Sequence, residues 1–356
     1  MTRQLLREAL AYLRQHLIAH LSITLLFIGC FFGVSLSMTA GSSNSYALGA
    51  YLGVVGRSLV NGHVFQNDED VIKALEAGLK TKDRYLKLFY TEDEYDSYWS
   101  SLSLAVPRKY GIVFDHFGRV QDVLKHSPAY GDIVPGDIIT KVGSVSQPSK
   151  FLETFNRSPE AGVTISRDGN LLPKTLRPFD LKPFYGQIDG DTATATVYFF
   201  RSEMIPSARE FLATVDANPL VKKLVFDVTQ CPGGQVSALD TLLGSLFADR
   251  KVLYMEKRGT KRYVHVANGK EPVLDVMSAK LSLEIRKSKR TASAAEIFIG
   301  VMQHHLDPTG KLSIIGDTTY GKWTTTAFTK FLRGGMMRSI GAVVLPDGKT
   351  YEGLGL

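Results

Sequence analysis

From about residue 181 onward the chain alternates apolar runs of strand character with runs of helical character: Thr194 to Phe200, a helix from Ser207 to Val215, Leu224 to Val228, then a helix from Ser237 to Phe247. Such alternation restricts the available folds, because each strand can hide its apolar faces only beneath the helices that follow it. It predicts an α/β unit with helices covering a sheet over residues 181–356. The chain has 356 residues, 44% of them hydrophobic and 22% charged, enough to bury a substantial core in two or three units.

Upstream the pattern changes. Residues 107–180 read as short strands with one helix, and Val163 to Leu176, turning at Arg167-Asp168-Gly169-Asn170, reads as a hairpin. Residues 39–106 read as a small polar linker and then helices, with Tyr85, Phe89, Tyr95, Tyr98 and Trp99 spaced for core packing. Leu21 to Met38 carries no charged residue, and its length suits one membrane-spanning helix. Arg3, Arg7 and Arg14 precede it with only Glu8 opposing, so residues 1–20 are expected to stay in the cytoplasm. Everything after Ala40 is then extracytoplasmic, as in a single-pass inner-membrane protein facing the periplasm. The rival reading is a cleavable signal peptide. A lead of about twenty residues favours an uncleaved anchor.

Two short segments carry the chemistry. Thr291-Ala292-Ser293-Ala294-Ala295-Glu296 opens a helical run, roughly Ala294 to His304, and Tyr320-Gly321-Lys322 follows a strand-like segment. A serine hydroxyl attacks a carbonyl only if a base takes its proton, and a lysine amine is such a base once burial favours its neutral form. Ser293 and Lys322 form such a pair without a histidine. Small residues at 292, 294 and 295 leave room for a peptide backbone beside Ser293. The first amides of the helix, that of Ala294 foremost, point toward Ser293 as oxyanion donors, each worth roughly 3 to 4 kcal/mol. Gly233 or Gly234, in Asp227-Val228-Thr229-Gln230-Cys231-Pro232-Gly233-Gly234, offers a second donor. Taken singly each has a plainer explanation. Ser293 with Glu296 also makes a capping box, Lys322 suits a solvated loop, and Pro232-Gly233-Gly234 suits a turn.

The order of these motifs resembles that of the C-terminal processing peptidases, the tail-specific serine proteases with a Ser/Lys dyad. Their usual run is Asp-Leu-Arg-Asn-Asn-Pro-Gly-Gly, then Ser-Ala-Ser-Ala-Ser-Glu, then Thr-Phe-Gly-Lys-Gly, where this chain has DVTQCPGG, TASAAE and TTYGKW. The resemblance covers most of the chain after the first forty residues. It implies a crotonase/ClpP-like serine peptidase core with an inserted PDZ-like domain, an N-terminal helical segment and one transmembrane helix. Ser293 would be the nucleophile and Lys322 the base. Tyr110-Gly111-Ile112-Val113, Ser127-Pro128-Ala129 and Pro135-Gly136-Asp137-Ile138-Ile139 look like PDZ elements. Gly111, Ile112 and Val113 would then meet a substrate's free, apolar C-terminus. No cofactor or metal is implied.

The chain departs from the family pattern at several points. Thr229-Gln230-Cys231 replaces Arg-Asn-Asn, Ala295 replaces the second motif serine, and Trp323 stands where glycine is usual. Thr326 occupies the position of a glutamine that helps hold the lysine. These departures motivate an alternative, a catalytically impaired PDZ adaptor tethered to the membrane. A different chemistry is suggested by Gly316 to Lys322, which has phosphate-loop spacing, but Trp323 stands where that loop needs a hydroxyl for Mg²⁺. Two cysteines, Cys30 and Cys231, give neither a disulfide framework nor metal-ligand spacing. The net charge of +7 is spread along the chain rather than clustered, which argues against nucleic-acid binding.

Overall fold

A computed structural model describes residues 68–356 apart from 82, 90, 92–109, 116, 152–153, 156–159, 249, 268–271 and 332–333. The expected membrane segment, 21–38, and the aromatics Tyr95, Tyr98 and Trp99 lie outside the described residues. Among those described, no helix is long and apolar enough to cross a membrane. The chain divides into two compact units, Met1–Ser97 with Thr326–Ser339, and Tyr98–Thr325 with Ile340–Leu356.

In the first unit, Asp68–Lys80 is a helix (α1) and Lys87–Phe89 a strand (β1) that pairs antiparallel with Met337, Met336 and Gly335. Phe89 thus belongs to a strand, where the sequence pattern suggests helix. It is buried all the same, because a three-residue strand laid on a neighbour hides an aromatic as well as a helix face does.

The second unit begins with a small β domain. Its strands are Ile112–Phe114 (β2), Val120–Val123 (β3), Ile138–Val142 (β4), Ala161–Arg167 (β5) and Asn170–Leu176 (β6). β2 pairs with β3, and β4, β5 and β6 form a three-stranded sheet whose last two strands are the hairpin read from the sequence. The domain has its own core, centred on Tyr110, Ile112, Phe151, Phe155 and Ile165. Asp137 of the Pro-Gly-Asp-Ile segment is buried, and Arg167 grips it with two bonds of 2.7 and 2.8 Å. That guanidinium holds the Asp137 carboxyl below the usual carboxylate range.

The larger part is a twisted five-stranded sheet with helices. Its elements are Phe184–Asp189 (β7), Thr192–Val197 (β8), Ile205–Ala217 (α2), Lys223–Asp227 (β9), Val236–Gly244 (α3), Ser282–Lys287 (β12), Ala294–Leu306 (α4) and Leu312–Gly316 (β13). Val252–Arg258 (β10) and Lys261–Val266 (β11) form a hairpin, Thr324–Phe331 (β14) and Gly334–Val344 (β15) follow β13, and β10 also pairs antiparallel with Ala342, Val343 and Val344 of β15. The sheet order is β13-β12-β9-β8-β7, parallel from β8 to β13 with β7 antiparallel at one edge. β9 reads Lys-Leu-Val-Phe-Asp and is buried from Leu224 through Asp227, as a parallel strand covered on both faces must be. α4 is buried almost all round, from Ala294 through Met302, so it is a core helix rather than a surface one. These elements bear out the α/β reading.

Candidate functional site

β9, β12 and β13 are neighbours, and in a parallel sheet the loops leaving their C-terminal ends open at one edge, where such sheets form crevices. The loop after β9 holds Gly233 and Gly234, that after β12 holds Ser293, and that after β13 holds Lys322. The topology therefore gathers three segments that lie far apart in the chain.

Hydrogen bonds lock the first two loops together. Ser288 Oγ donates to the Thr229 carbonyl at 2.5 Å, Thr291 Oγ1 to that of Val228 at 2.9 Å, and the Ala292 amide to that of Cys231 at 3.1 Å. The third loop joins them through the Tyr320 amide, which donates to the Thr291 carbonyl at 3.0 Å.

Ser293 sits in a backbone conformation, φ 56° and ψ −123°, that non-glycine residues rarely adopt, at a cost of order 1–3 kcal/mol. Surrounding contacts hold it there. Glu296, three residues on, is completely buried, and its Oε2 accepts the Ser293 amide at 2.9 Å. The same carboxylate reaches the lysine loop: Oε2 accepts the Lys322 amide at 2.8 Å, and Oε1 accepts the Gly321 amide at 2.6 Å and Thr319 Oγ1 at 2.5 Å. Sequence reasoning saw Glu296 only as a capping residue. Its second role depends on a loop some 25 residues away, and no local signal marks it. These bonds also remove the phosphate-loop reading, because the amides such a loop aims at phosphate are already spent on an internal carboxylate.

The glycine pair divides its work. A Cβ on Gly233, at φ +107°, would lie 2.8 Å from Ser293 Cβ and 3.0 Å from the Ala294 nitrogen, so this glycine packs directly against the serine. A Cβ on Gly234 would instead strike the Phe200 carbonyl at 2.2 Å. Of the first helical amides, those of Ala295 and Glu296 donate to the Ala292 and Ser293 carbonyls, and the Ala294 amide has no partner among the described residues. The site thus presents a serine between two backbone segments, Gly233 and Ala294.

Lys322 is half-buried. Its neighbour Tyr320 is 61% exposed and gives little cover. Trp323 is fully buried, its ring against Gly300 of α4 and 5.1 Å from the Tyr351 ring. Thr326 lies on β14, in the first unit. In the small β domain Gly111 has φ +76° and accepts the Leu124 amide at 2.7 Å, Ile112 is buried and Val113 pairs with Asp122. Among the described residues β2 pairs only with β3. Toward the end of α4, His304 lies 3.6 Å from Asp347, and His305 contacts the Val252 carbonyl at 2.9 Å.

At the base of the first loop, Asp227 is buried, bonded by Lys125 and by the Thr229 amide and hydroxyl. Burial alone would raise its carboxyl. Lys125 and Thr229 more than offset that and leave it below the ordinary 3.8.

Residues 192–356 match the model of peptidase family S41. The photosystem II D1 C-terminal processing protease is similar in structure, with a TM-score of 0.52 and 16% identity over 80% of each chain. An S41 protease from Bacteroides fragilis NCTC 9343 gives 0.52 and 17% identity over 79% of this chain and 81% of its own. At these identities the likeness is one of fold. Among curated proteins nothing matches.

Proposed function

Starting from the peptidase family S41 domain that the chain carries over residues 192–356, we propose a membrane-anchored serine endopeptidase that cuts proteins near their C-terminus. Ser293 attacks the scissile carbonyl, and Lys322 takes the hydroxyl proton and returns it to the leaving amine. The amides of Ala294 and Gly233 hold the oxyanion, and Gly233 is preferred over Gly234 because it is the glycine against Ser293. The observation that carries this reading is the Glu296 carboxylate, which fixes the backbones of Ser293 and Lys322 through one oxygen.

The finer parts of the proposal rest on sequence and on β2, which among the described residues pairs with β3 alone. Gly111, Ile112 and Val113 receive an extended, apolar substrate C-terminus in the PDZ manner. Residues 21–38 anchor the chain in the inner membrane, and the catalytic part works on the extracytoplasmic side. Incubating the protein with an unfolded substrate and mapping the products by mass spectrometry tests the reading. Cleavage that Ser293→Ala abolishes is expected. Binding of chain ends without any cleavage would leave the tethered adaptor instead.

A further inference from the structure

One carboxylate in the small β domain touches both loops that form the proposed oxyanion site. Asp122, on β3, accepts Gln230 Nε2 through Oδ2 at 2.7 Å and pairs through the same oxygen with the Arg290 guanidinium. Gln230 stands three residues before Gly233, and Arg290 three before Ser293. Both partners are further tied to β3: Gln230 Nε2 also donates to the Val123 carbonyl at 3.1 Å, and Arg290 donates to the Gln121 carbonyl. Gln230 is 9% exposed, so its bond to Asp122 works in a low dielectric, where a bond to a charged group weighs more.

We propose that Asp122 is a positioning residue for the active centre: it sets the spacing between the Gly233 loop and the Ser293 loop by holding Gln230 and Arg290 on one oxygen. The inference rests on the reading of Ser293 and Gly233 given above. Its physical basis is that an oxyanion donor and a nucleophile act together only when both are placed to a fraction of an ångström. The loops are also joined directly, through Ser288 and Thr291 at their bases and through the Ala292 amide on the Cys231 carbonyl beside the reacting residues. Asp122 adds to these a restraint from outside the two loops, on β3. The inference also gives a job to Gln230, one of the residues that depart from the family pattern.

The test compares wild type, Asp122→Ala and Gln230→Ala in the full chain, with three readouts. Hydrogen exchange followed by mass spectrometry reports the order of peptides spanning 228–235 and 288–295. The rate of labelling by a fluorophosphonate probe reports the reactivity of Ser293. Peptide cleavage separates kcat from KM. In Asp122→Ala we expect faster exchange in both loops, labelling slowed by about 10- to 100-fold, and kcat lowered with KM within about twofold. Adding Gln230→Ala to Asp122→Ala is expected to cost less than the sum of the two single losses. Unchanged exchange in both loops overturns the inference whatever the labelling shows, as does a loss confined to thermal stability with kcat intact. Failure of wild type to label at Ser293 would instead strike the nucleophile assignment.

Discussion

Ser293 and Lys322 hang from a single atom: Glu296 Oε2 accepts the backbone N–H of each, at 2.9 and 2.8 Å. Two bonds of ordinary length through one oxygen hold the two nitrogens within about 6 Å of each other. Nothing in the side chains of the pair is needed for that proximity. The carboxylate keeps their backbones together in the resting protein.

Replacing Glu296 by glutamine should therefore damage fold and function at once. The carboxylate faces four donors and offers none of its own, whereas an amide must turn an NH₂ toward some of them. Each buried donor left without a partner costs about 1–3 kcal/mol, so a loss of at least about 2 kcal/mol is expected in urea denaturation of Glu296→Gln. A variant with the wild-type midpoint and full cleavage would show that the hub is dispensable.

The strain at Ser293 predicts an unusual pair of stabilities. Ser293→Ala keeps the side-chain carbon, and so the cost of φ 56°, while Ser293→Gly releases it. Both variants should be inactive, and Ser293→Gly should be the more stable by about 1 kcal/mol. Equal denaturation midpoints would mean that the backbone conformation carries no strain.

Lys322→Arg separates base from charge. A guanidinium keeps the positive charge but does not give up its proton near neutral pH, so cleavage should fall by about 10²- to 10⁴-fold. Full activity in Lys322→Arg would remove lysine as the base.

How much of this was legible beforehand differs residue by residue. The strand-helix alternation after residue 181 and the order of DVTQCPGG, TASAAE and TTYGKW were local patterns, and they singled out Ser293, Lys322 and the glycine pair as candidates. What brings them together was not local, because β9, β12 and β13 are parallel neighbours whose pairing leaves no mark on any one of them. Glu296 and Asp122 were missed as organising groups for the same reason: each acts on loops distant in sequence.

His305 predicts an acid-labile step in stability. Burial, with Lys251 and His304 adding unfavourable charge, pushes its ring down to about 4 from the ordinary 6.5. In the unfolded chain the ring takes up a proton as the pH drops below 6.5, while in the folded protein it resists until about 4. Its contribution is therefore fully present above pH 6.5 and is lost progressively between 6.5 and about 4. Asp227, held below 3.8, acts in the same direction at still lower pH. His305→Gln keeps a donor for the Val252 carbonyl and should flatten the fall in thermal midpoint between pH 7 and about 4.5. An unchanged pH slope in that variant would place the acid sensitivity elsewhere.

Trp323 and Gly300 form a lock that explains how tryptophan fits where the peptidases whose motifs this chain resembles usually carry glycine. The indole is fully buried, and a Cβ added to Gly300 would come within 2.3 Å of the far edge of its ring. The bare backbone of α4 at this turn is the space the ring occupies. Gly300→Ala should then destabilise by about 1–3 kcal/mol through overpacking, even though alanine is the better helix former. Trp323→Gly should cost more, about 3–5 kcal/mol, by leaving the cavity empty. Because the two changes act on the same volume, Gly300→Ala combined with Trp323→Leu should cost less than the sum of the single effects, and a strictly additive double mutant would show that ring and helix do not share that space.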